Sequence, residues 1–277
     1  MPSDSHVHSE WSWDTGGPRS AAAGTMARTC ARAVEIGLPA LAVTDHLDVE
    51  GWLAGAEDAR RFPALVHDGR LRPPPLEIDG YLAAVDRCRA AYPQLRVLTG
   101  VELGQPHLVG DVAGTVDLRT LDRVVGSLHT LPVGEERAEP RGLYEDHDPA
   151  DVVHADLEEM VVMAGSGTRF DVVAHLDYAV CSWPTARAGA FDVTRFEDGF
   201  RQAMRAIARS GRALEMSAAL LQPWMPRWWA EEGGRAVSFA SDAHVPDALG
   251  VRFGEAVAMV EAAGFRPGAR PEDLWRR

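Results

Sequence analysis

Short apolar runs alternate with longer segments of helical periodicity along most of the chain. The apolar runs predict seven buried strands, at Ser5–His8, Ala40–Thr44, Arg96–Leu103, Arg123–Leu128, Phe170–His175, Ala213–Met216 and Ala236–Ala240. The segments between them predict six helices, at Thr25–Ile36, Ile78–Tyr92, Pro149–Met163, Val193–Arg209, Pro223–Glu232 and Leu249–Ala263. Strands that alternate with helices are typical of parallel βαβ units, so the pattern predicts an α/β fold.

The length of the chain fits a single α/β barrel. Its 277 residues are close to the roughly 250 residues of such barrels. We therefore expect one domain over residues 1–277, with residues 266–277 as a terminal tail. Residues 54–75 and 132–149 lack clear periodicity and are expected to be loops, which in a compact domain often carry function.

Charge and residue usage narrow the possible chemistry. The formal net charge is -13, and this field repels polyanions, which argues against nucleic acid as a partner. A small phosphorylated substrate is still compatible, because bound metal cations can outweigh the fixed charge locally. The chain contains no lysine, which excludes a Schiff-base lysine, a lysine nucleophile and the lysine of a P-loop.

Cysteine usage and the lengths of the apolar runs bear on location. Cys30, Cys88 and Cys181 lie far apart and match no zinc or disulfide spacing. The N-terminus has no basic region followed by an apolar run, and no stretch approaches the ~18 consecutive apolar residues of a membrane span. We expect a soluble protein of the reducing cytoplasm without a membrane partner.

Imidazole and carboxylate side chains follow six of the seven predicted strands, at the positions where a parallel barrel carries its reactive groups. Taken singly, each has a structural explanation, such as a helix cap, an ion pair with arginine or a hydrogen-bonded core histidine. Together they predict a polynuclear metal site, because buried groups of this kind are costly unless they are paired or metal-bound. The absence of thiolate from the set favours Zn²⁺, Mn²⁺ or Fe. The residues are His6, His8, Asp14, Asp45, His46, Glu102, His129, His175, Asp242 and His244.

The same residues form a recognisable series of motifs. The series is His-x-His near the N-terminus, then Asp-His, Gly-x-Glu, Ser-x-His, Ala-His and Ser-Asp-Ala-His, and it runs from His6 to beyond His244. It resembles the polymerase and histidinol phosphatase (PHP) superfamily, whose members fold as a distorted (β/α)7 TIM-like barrel. Within that superfamily, the Gly-Ser-Leu-His motif and the chain length are similar to the monofunctional histidinol-phosphatase branch.

The resemblance implies two to three divalent metal ions and a role for each ligand. It assigns a first metal to His6, His8, Glu102 and Asp242, with Glu102 bridging to a second metal held by His129 and His175. A third metal would take His46, His244 and Asp14, and Asp45 would orient a ligand rather than bind metal. Metals ~3.5–4 Å apart can aim a hydroxide at phosphorus, and Asp242 or His244 would assist proton transfer to the leaving group.

The implied activity is that of a metal-dependent phosphoric-monoester hydrolase, with L-histidinol phosphate as the leading substrate. Three places depart from the family pattern. Cys181 and Val245 stand where polar or basic residues are expected, and the strand end at Glu215–Ser217 lacks the asparagine expected near Ser217. Arg187 lies near Cys181 in the chain and is the expected phosphate contact, while Arg19, Arg169 and Arg252 are other loop arginines that could fill this role.

The departures keep several alternatives open. The substrate could be another small phosphate mono- or diester, or the enzyme could be repurposed for a specialised pathway. An accessory, non-catalytic domain is the alternative from a different class, and the intact ligand set argues against it. A nuclease would need a basic groove, which a chain of net charge -13 does not favour.

Overall fold

Seven parallel strands form the central sheet of the computed structural model, which describes residues 1–109, 116–218 and 221–277. We number them β1 (Asp4–Val7), β2 (Ala40–Val43), β3 (Arg96–Gly104), β4 (Arg123–Ser127), β5 (Val172–Val173), β6 (Ala213–Ser217) and β7 (Ala236–Ala240). Each strand pairs in parallel with the next along the chain. The predicted α/β barrel architecture is therefore confirmed.

Backbone hydrogen bonds beyond the ends of β1 and β7 close the barrel. The N–H of Asp242 donates to the carbonyl of His6 at 3.0 Å, and the N–H of His8 donates to the carbonyl of Ala243 at 2.9 Å. Asp242 has a φ of 53°, a left-handed conformation that is uncommon for residues other than glycine. Closure therefore brings the first and last metal-ligand motifs of the sequence together at one end of the barrel.

Six helices pack outside the strands, close to the predicted positions. They are α1 (Thr25–Glu35), α2 (Ile78–Ala91), α3 (Pro149–Ala164), α4 (Glu197–Ser210), α5 (Trp224–Glu231) and α6 (Phe253–Ala262). The segment Val193–Phe196, predicted as the start of a helix, forms a 3-10 turn ahead of α4. Trp228 and Trp229 are 3% and 0% exposed, so these two residues of α5 pack into the core, and Trp224 is partly buried against it. Further 3-10 turns lie at Trp13–Thr15, Leu118–Thr120 and Pro246–Ala248.

A second, small sheet forms largely within the two segments expected to be loops, with Trp52–Leu53 and Leu131 just ahead of them. Its strands, in spatial order, are Val66–His67, Arg70–Leu71, Trp52–Leu53, Glu136–Ala138 and Leu131–Val133. Leu53 pairs with Ala138, which joins the connection after β2 to the connection after β4. The prediction of irregular structure was wrong here, because these strands are only two or three residues long and leave no periodicity to read.

Short elements complete the described chain. Helices of four to six residues occur at Ala56–Arg61, Pro140–Leu143, Tyr178–Cys181 and Thr185–Ala188. Strand His46–Leu47 continues beside β3, with His46 opposite Glu102. Within the described ranges, no helix is long and apolar enough to cross a membrane.

The final segment, expected as a terminal tail, is anchored on the barrel. Strand β8 (Trp275–Arg276) pairs antiparallel with β7, with Trp275 opposite Val237. The Trp275 ring is 9% exposed and lies edge-on to Phe239, with 4.9 Å between ring centroids. Burial of this ring ties the end of the chain to the edge of the sheet.

Candidate metal centre

The nine predicted ligands lie together where the C-terminal ends of the strands meet. Seven of them line a cavity of about 410 Å³, and His6 and His8 lie beneath it with 0% and 1% exposure. The parallel strands place these side chains at the same end of the barrel, as the alternation of strands and helices predicts. The seven lining residues are Asp14, His46, Glu102, His129, His175, Asp242 and His244.

The first group of donor atoms surrounds a point between β1, β3 and the end of β7. His6 Nε2 and His8 Nε2 face each other at 3.1 Å. Glu102 Oε2 lies 3.4 Å from His6 Nε2 and 3.5 Å from His8 Nε2, and Asp242 Oδ1 lies 3.6 Å and 3.0 Å from the same two nitrogens. Ligand atoms ~3.4 Å apart are what tetrahedral coordination with bonds of about 2.1 Å requires. The four side chains fit one divalent metal ion.

Glu102 extends the site toward β4 and β5 with its other carboxylate oxygen. Its Oε1 lies 3.1 Å from His129 Nε2 and 3.0 Å from His175 Nε2, whereas its Oε2 faces the first group. Burial disfavours the charged carboxylate, but the imidazoles of His46, His6 and His129 hold the pKa of Glu102 well below its ordinary range. An ionised carboxylate with separate partners for its two oxygens has the geometry of a bridging ligand.

A third group lies closer to the mouth of the cavity. Asp14 Oδ2 is 2.7 Å from His244 Nε2 and 3.9 Å from His46 Nε2, and the rings of His8 and His244 are stacked with 4.1 Å between centroids. Donor atoms of His8, Asp14, His46 and His244 all lie within 4.8 Å of one another.

The three groups share ligands more than the resemblance implied. Two further sets of donor atoms meet the same 4.8 Å limit, namely His6, His8 and Glu102, and His46, Glu102 and His129. His46 Nδ1 lies 3.0 Å from Glu102 Oε2, so His46 faces both the third group and the bridging carboxylate. His8 likewise belongs to both the first and the third group.

Hydrogen bonds to the outer nitrogens of His6 and His8 orient their Nε2 atoms toward the centre. Glu215 Oε2 lies 2.8 Å from His6 Nδ1, and Ser12 Oγ lies 2.9 Å from His8 Nδ1 while donating to Asp45 Oδ1 at 3.0 Å. Asp45 therefore contacts His8 through Ser12, a position from which it would orient this predicted ligand. Such contacts fix the tautomer in which Nε2 is free to bind metal.

The protonation state of His8 suits a ligand. Burial and the neighbouring imidazoles of His244 and His46 lower the pKa of His8 to about 3, so the ring is neutral at pH 7. Metal binding needs the neutral imidazole.

Two buried carboxylates at the site were not identified from the sequence. Glu215 is 1% exposed and holds His6. Asp48 is 5% exposed, accepts the indole N–H of Trp13 at 2.8 Å and lies 3.7 Å from His129 Nδ1. The i, i+2 spacing of His46 and Asp48 was a readable signal that both face the same side. For Glu215 the signal was a carboxylate inside an otherwise apolar strand.

Gly104 provides the space that Asp48 occupies. A Cβ atom at Gly104 would lie 1.9 Å from Asp48 Oδ1, which is far inside contact distance. The approach of the carboxylate to β3 therefore requires glycine at this position.

The arginine expected to contact phosphate lies elsewhere. The guanidinium of Arg187 donates to the backbone carbonyls of Glu145 at 3.4 Å and His147 at 2.6 Å, and Arg187 is not among the described residues that line the cavity. The structure therefore gives no support to Arg187 as a substrate contact. Of the described residues that line the cavity, one is an arginine, Arg61. It lies at the end of the short helix after β2, in a segment expected to be a loop.

The other sequence candidates also lie outside the cavity wall. Arg169 donates to the backbone carbonyl of Leu118, Arg252 pairs with Glu255 at 2.8 Å, and the side chain of Arg19 is 89% exposed. Of the positions that depart from the family pattern, Val245 lines the cavity, whereas Cys181 donates to the carbonyl of Asp177.

The fold and the arrangement of the side chains define a (β/α) barrel with a candidate metal-binding site at the C-terminal ends of its strands. The chain belongs to the PHP domain family, whose sequence model matches residues 4–219. The family and fold expected from the motifs are therefore confirmed.

Two sequence relatives of this chain have the same name. The chain is 24% identical to the "Probable histidinol-phosphatase" of Clostridium acetobutylicum over 69% of this chain and 76% of the relative. It is 27% identical to the protein of the same name from Deinococcus radiodurans over 95% of this chain and 94% of the relative. Its fold matches the crystal structure of histidinol phosphate phosphatase from Lactococcus lactis complexed with zinc, L-histidinol and phosphate. That match has a TM-score of 0.71 and 18% identity, and it covers 99% of this chain and 98% of the other.

Proposed function

We propose that this protein is a metal-dependent phosphoric-monoester hydrolase that converts L-histidinol phosphate to L-histidinol and phosphate. The observation that carries the proposal is the convergence of nine nitrogen and oxygen ligands on one open cavity. The names of the two sequence relatives support the same activity. The Lactococcus lactis structure, which contains zinc with L-histidinol and phosphate, supports the same substrate for this fold.

Two or three divalent ions, zinc, manganese or iron, are the proposed cofactors. His6, His8, Glu102 and Asp242 would hold the first, and Glu102 with His129 and His175 the second. Asp14, His46 and His244 would hold the third, with His8 within reach. When bound, such ions neutralise phosphate oxygens and lower the pKa of water.

Side chains at the mouth would bind the substrate and move a proton. The side chains of Asp242 and His244 are 37% and 36% exposed, more than those of the other proposed ligands. We therefore assign proton transfer to the leaving group to these two residues. Arg61 lines the same cavity, and we assign it to the phosphate oxygens in place of Arg187. A guanidinium suits this role because its planar N–H groups match phosphate geometry.

A different small phosphate ester is the second candidate substrate. The side chain of Val245 lines the cavity and is 56% exposed, so this part of the wall offers no hydrogen bond to a polar leaving group.

The proposed location is the reducing cytoplasm. Free cysteines at positions 30, 88 and 181 support it.

Phosphate release by the metal-loaded protein tests the proposal. Zinc- or manganese-loaded protein should release phosphate from L-histidinol phosphate faster than from a panel of other monoesters and diesters. Glu102→Gln should lose both metal and activity, because it removes the bridging charge. His67→Ala, at an exposed position in the small sheet, should retain both. Failure to bind metal, or no phosphate release from any monoester, would refute the proposed function.

A further inference from the structure

A second cavity of about 360 Å³ adjoins the metal centre. We call it the apolar groove. Its lining includes Trp11 and Trp13 from the segment after β1, and Phe62, Pro63, Ala64 and Leu65 from the segment after the short helix Ala56–Arg61. Pro74, Pro75 and Leu76 also line it. Hydrocarbon and aromatic surface therefore dominates the wall.

The groove is continuous with the proposed catalytic site. His46 and Arg61 line both cavities. The ring of Trp13 lies 5.6 Å from the ring of His46 and 5.0 Å from the ring of Phe62, measured between centroids. An aromatic surface therefore leads from the predicted ligand His46 into the groove. The hydrogen bond from the Trp13 indole to Asp48 holds the Trp13 ring in this surface.

Few of the described residues that line the groove are charged. Arg61 stands at the junction with the metal centre. Arg19 and Glu77 are the other charged residues of the described lining, and they lie 4.0 Å from each other with side chains 89% and 59% exposed. Apart from these residues and His46, the described lining is uncharged, so the groove suits an uncharged organic group of the kind that aromatic walls bind.

We infer that the metal centre also hydrolyses phosphate monoesters whose organic group is apolar or aromatic and larger than that of histidinol phosphate, with this group lying in the apolar groove. The inference rests on the proposed phosphatase function. The reaction consumes one water molecule, breaks the P–O bond to the organic group, and releases inorganic phosphate and the corresponding alcohol.

Binding of non-hydrolysable phosphonates tests the groove separately from catalysis. The zinc-loaded protein is titrated by calorimetry with methylphosphonate, benzylphosphonate and naphthylmethylphosphonate. The dissociation constant should fall by at least about tenfold from the methyl to the naphthylmethyl compound, because apolar area is removed from water. Benzyl and naphthylmethyl phosphates should likewise show a higher kcat/KM than methyl phosphate.

A variant that fills the groove supplies the structural test. Ala64 is exposed and lines the groove. Ala64→Trp should therefore remove the higher affinity for the naphthylmethyl compound and leave the affinity for methylphosphonate unchanged. Ala59→Trp is the matched control, since Ala59 is exposed on the neighbouring helix and is not among the described residues of the groove wall.

The outcomes separate failure of the groove from failure of the proposed function. Equal affinity of the wild-type protein for small and large phosphonates would overturn the groove inference, and so would an equal loss of affinity for all of them in Ala64→Trp. In either case, phosphate release would still support a phosphatase. Absence of both phosphonate binding and phosphate release in the zinc-loaded protein would overturn both. A loss of affinity for the large compounds only, seen in Ala64→Trp but not in Ala59→Trp, would support the inference.

Discussion

Replacement of Glu215 by glutamine should weaken metal binding while the barrel remains folded. Each carboxylate oxygen of Glu215 faces an N–H group, at 2.8 Å for His6 Nδ1 and 3.3 Å for the backbone N of His175. Glutamine has a single side-chain oxygen, so in either orientation its NH₂ group opposes one of these donors. The His6 ring then loses either its orientation or part of its basicity as a ligand.

The size of the effect follows from the type of contact that is lost. Glu215 and His6 are fully buried, and a buried hydrogen bond to a charged group contributes about 1.5–3 kcal/mol. Loss of a carboxylate that orients a metal-binding histidine lowers metal affinity by roughly 10–100-fold, or about 1.4–2.7 kcal/mol. The two estimates agree, and we expect a zinc dissociation constant about 10–100 times that of the wild-type protein.

Competition with a chelator of known zinc affinity measures this change. Glu159→Gln serves as the matched control, because Glu159 accepts hydrogen bonds from Arg137 at 2.8 Å and His107 at 2.9 Å and contacts none of the proposed ligands in those bonds. The control should lower the melting temperature without altering zinc affinity. A folded Glu215→Gln protein that binds zinc within twofold of wild type would refute the role assigned to Glu215.

Three further predictions concern the metal, the phosphate contact and a buried acid. Removal of metal by a chelator should abolish phosphatase activity and lower the melting temperature, since ligands that bind only the folded state stabilise it; an unchanged melting temperature in calorimetry would contradict a bound metal. Arg61→Ala should raise KM for the phosphate ester about tenfold or more, whereas Arg187→Ala should not, and equal KM values in steady-state kinetics would exclude Arg61 as the phosphate contact. Burial, with the nearby carboxylates of Asp177 and Glu159, raises the pKa of Asp156 well above its ordinary value. The folded state therefore holds a proton that the unfolded chain releases near pH 4, so stability should fall as pH rises above this value; in urea titrations Asp156→Asn should make that fall less steep, and an unchanged slope would contradict the assignment.

Much of the fold was predictable because it depends on local periodicity. Apolar runs and helical periodicity placed all seven barrel strands and six helices in order, and parallel order followed from the alternation. The small sheet was missed because its strands are too short to show a period. Its register depends on contacts between distant segments, such as Leu53 with Ala138, and chain position alone does not specify these.

The candidate site was predictable to the extent that its residues follow strands. Eight of the nine predicted ligands lie within four residues of the end of a barrel strand, and Asp14 follows in the 3-10 turn after β1. Parallel strands necessarily bring such ends together. Glu215 gave a weaker signal, because a carboxylate within a strand reads the same whether it orients a ligand or pairs with arginine. Arg187 was chosen for its nearness in sequence to the His175 motif, but side-chain direction placed it on the carbonyls of Glu145 and His147.

The sequence by itself determined the barrel, the chemical nature of the centre and its position, because residue type and strand order carry all three. Only the tertiary structure decided which side chains lie in the same group of potential ligands, which arginine lines the cavity, and that an apolar groove adjoins the candidate metal site. These properties depend on contacts between segments far apart in the chain. His6 meets Glu215 across 209 positions, and no local pattern of residues encodes the distance between them.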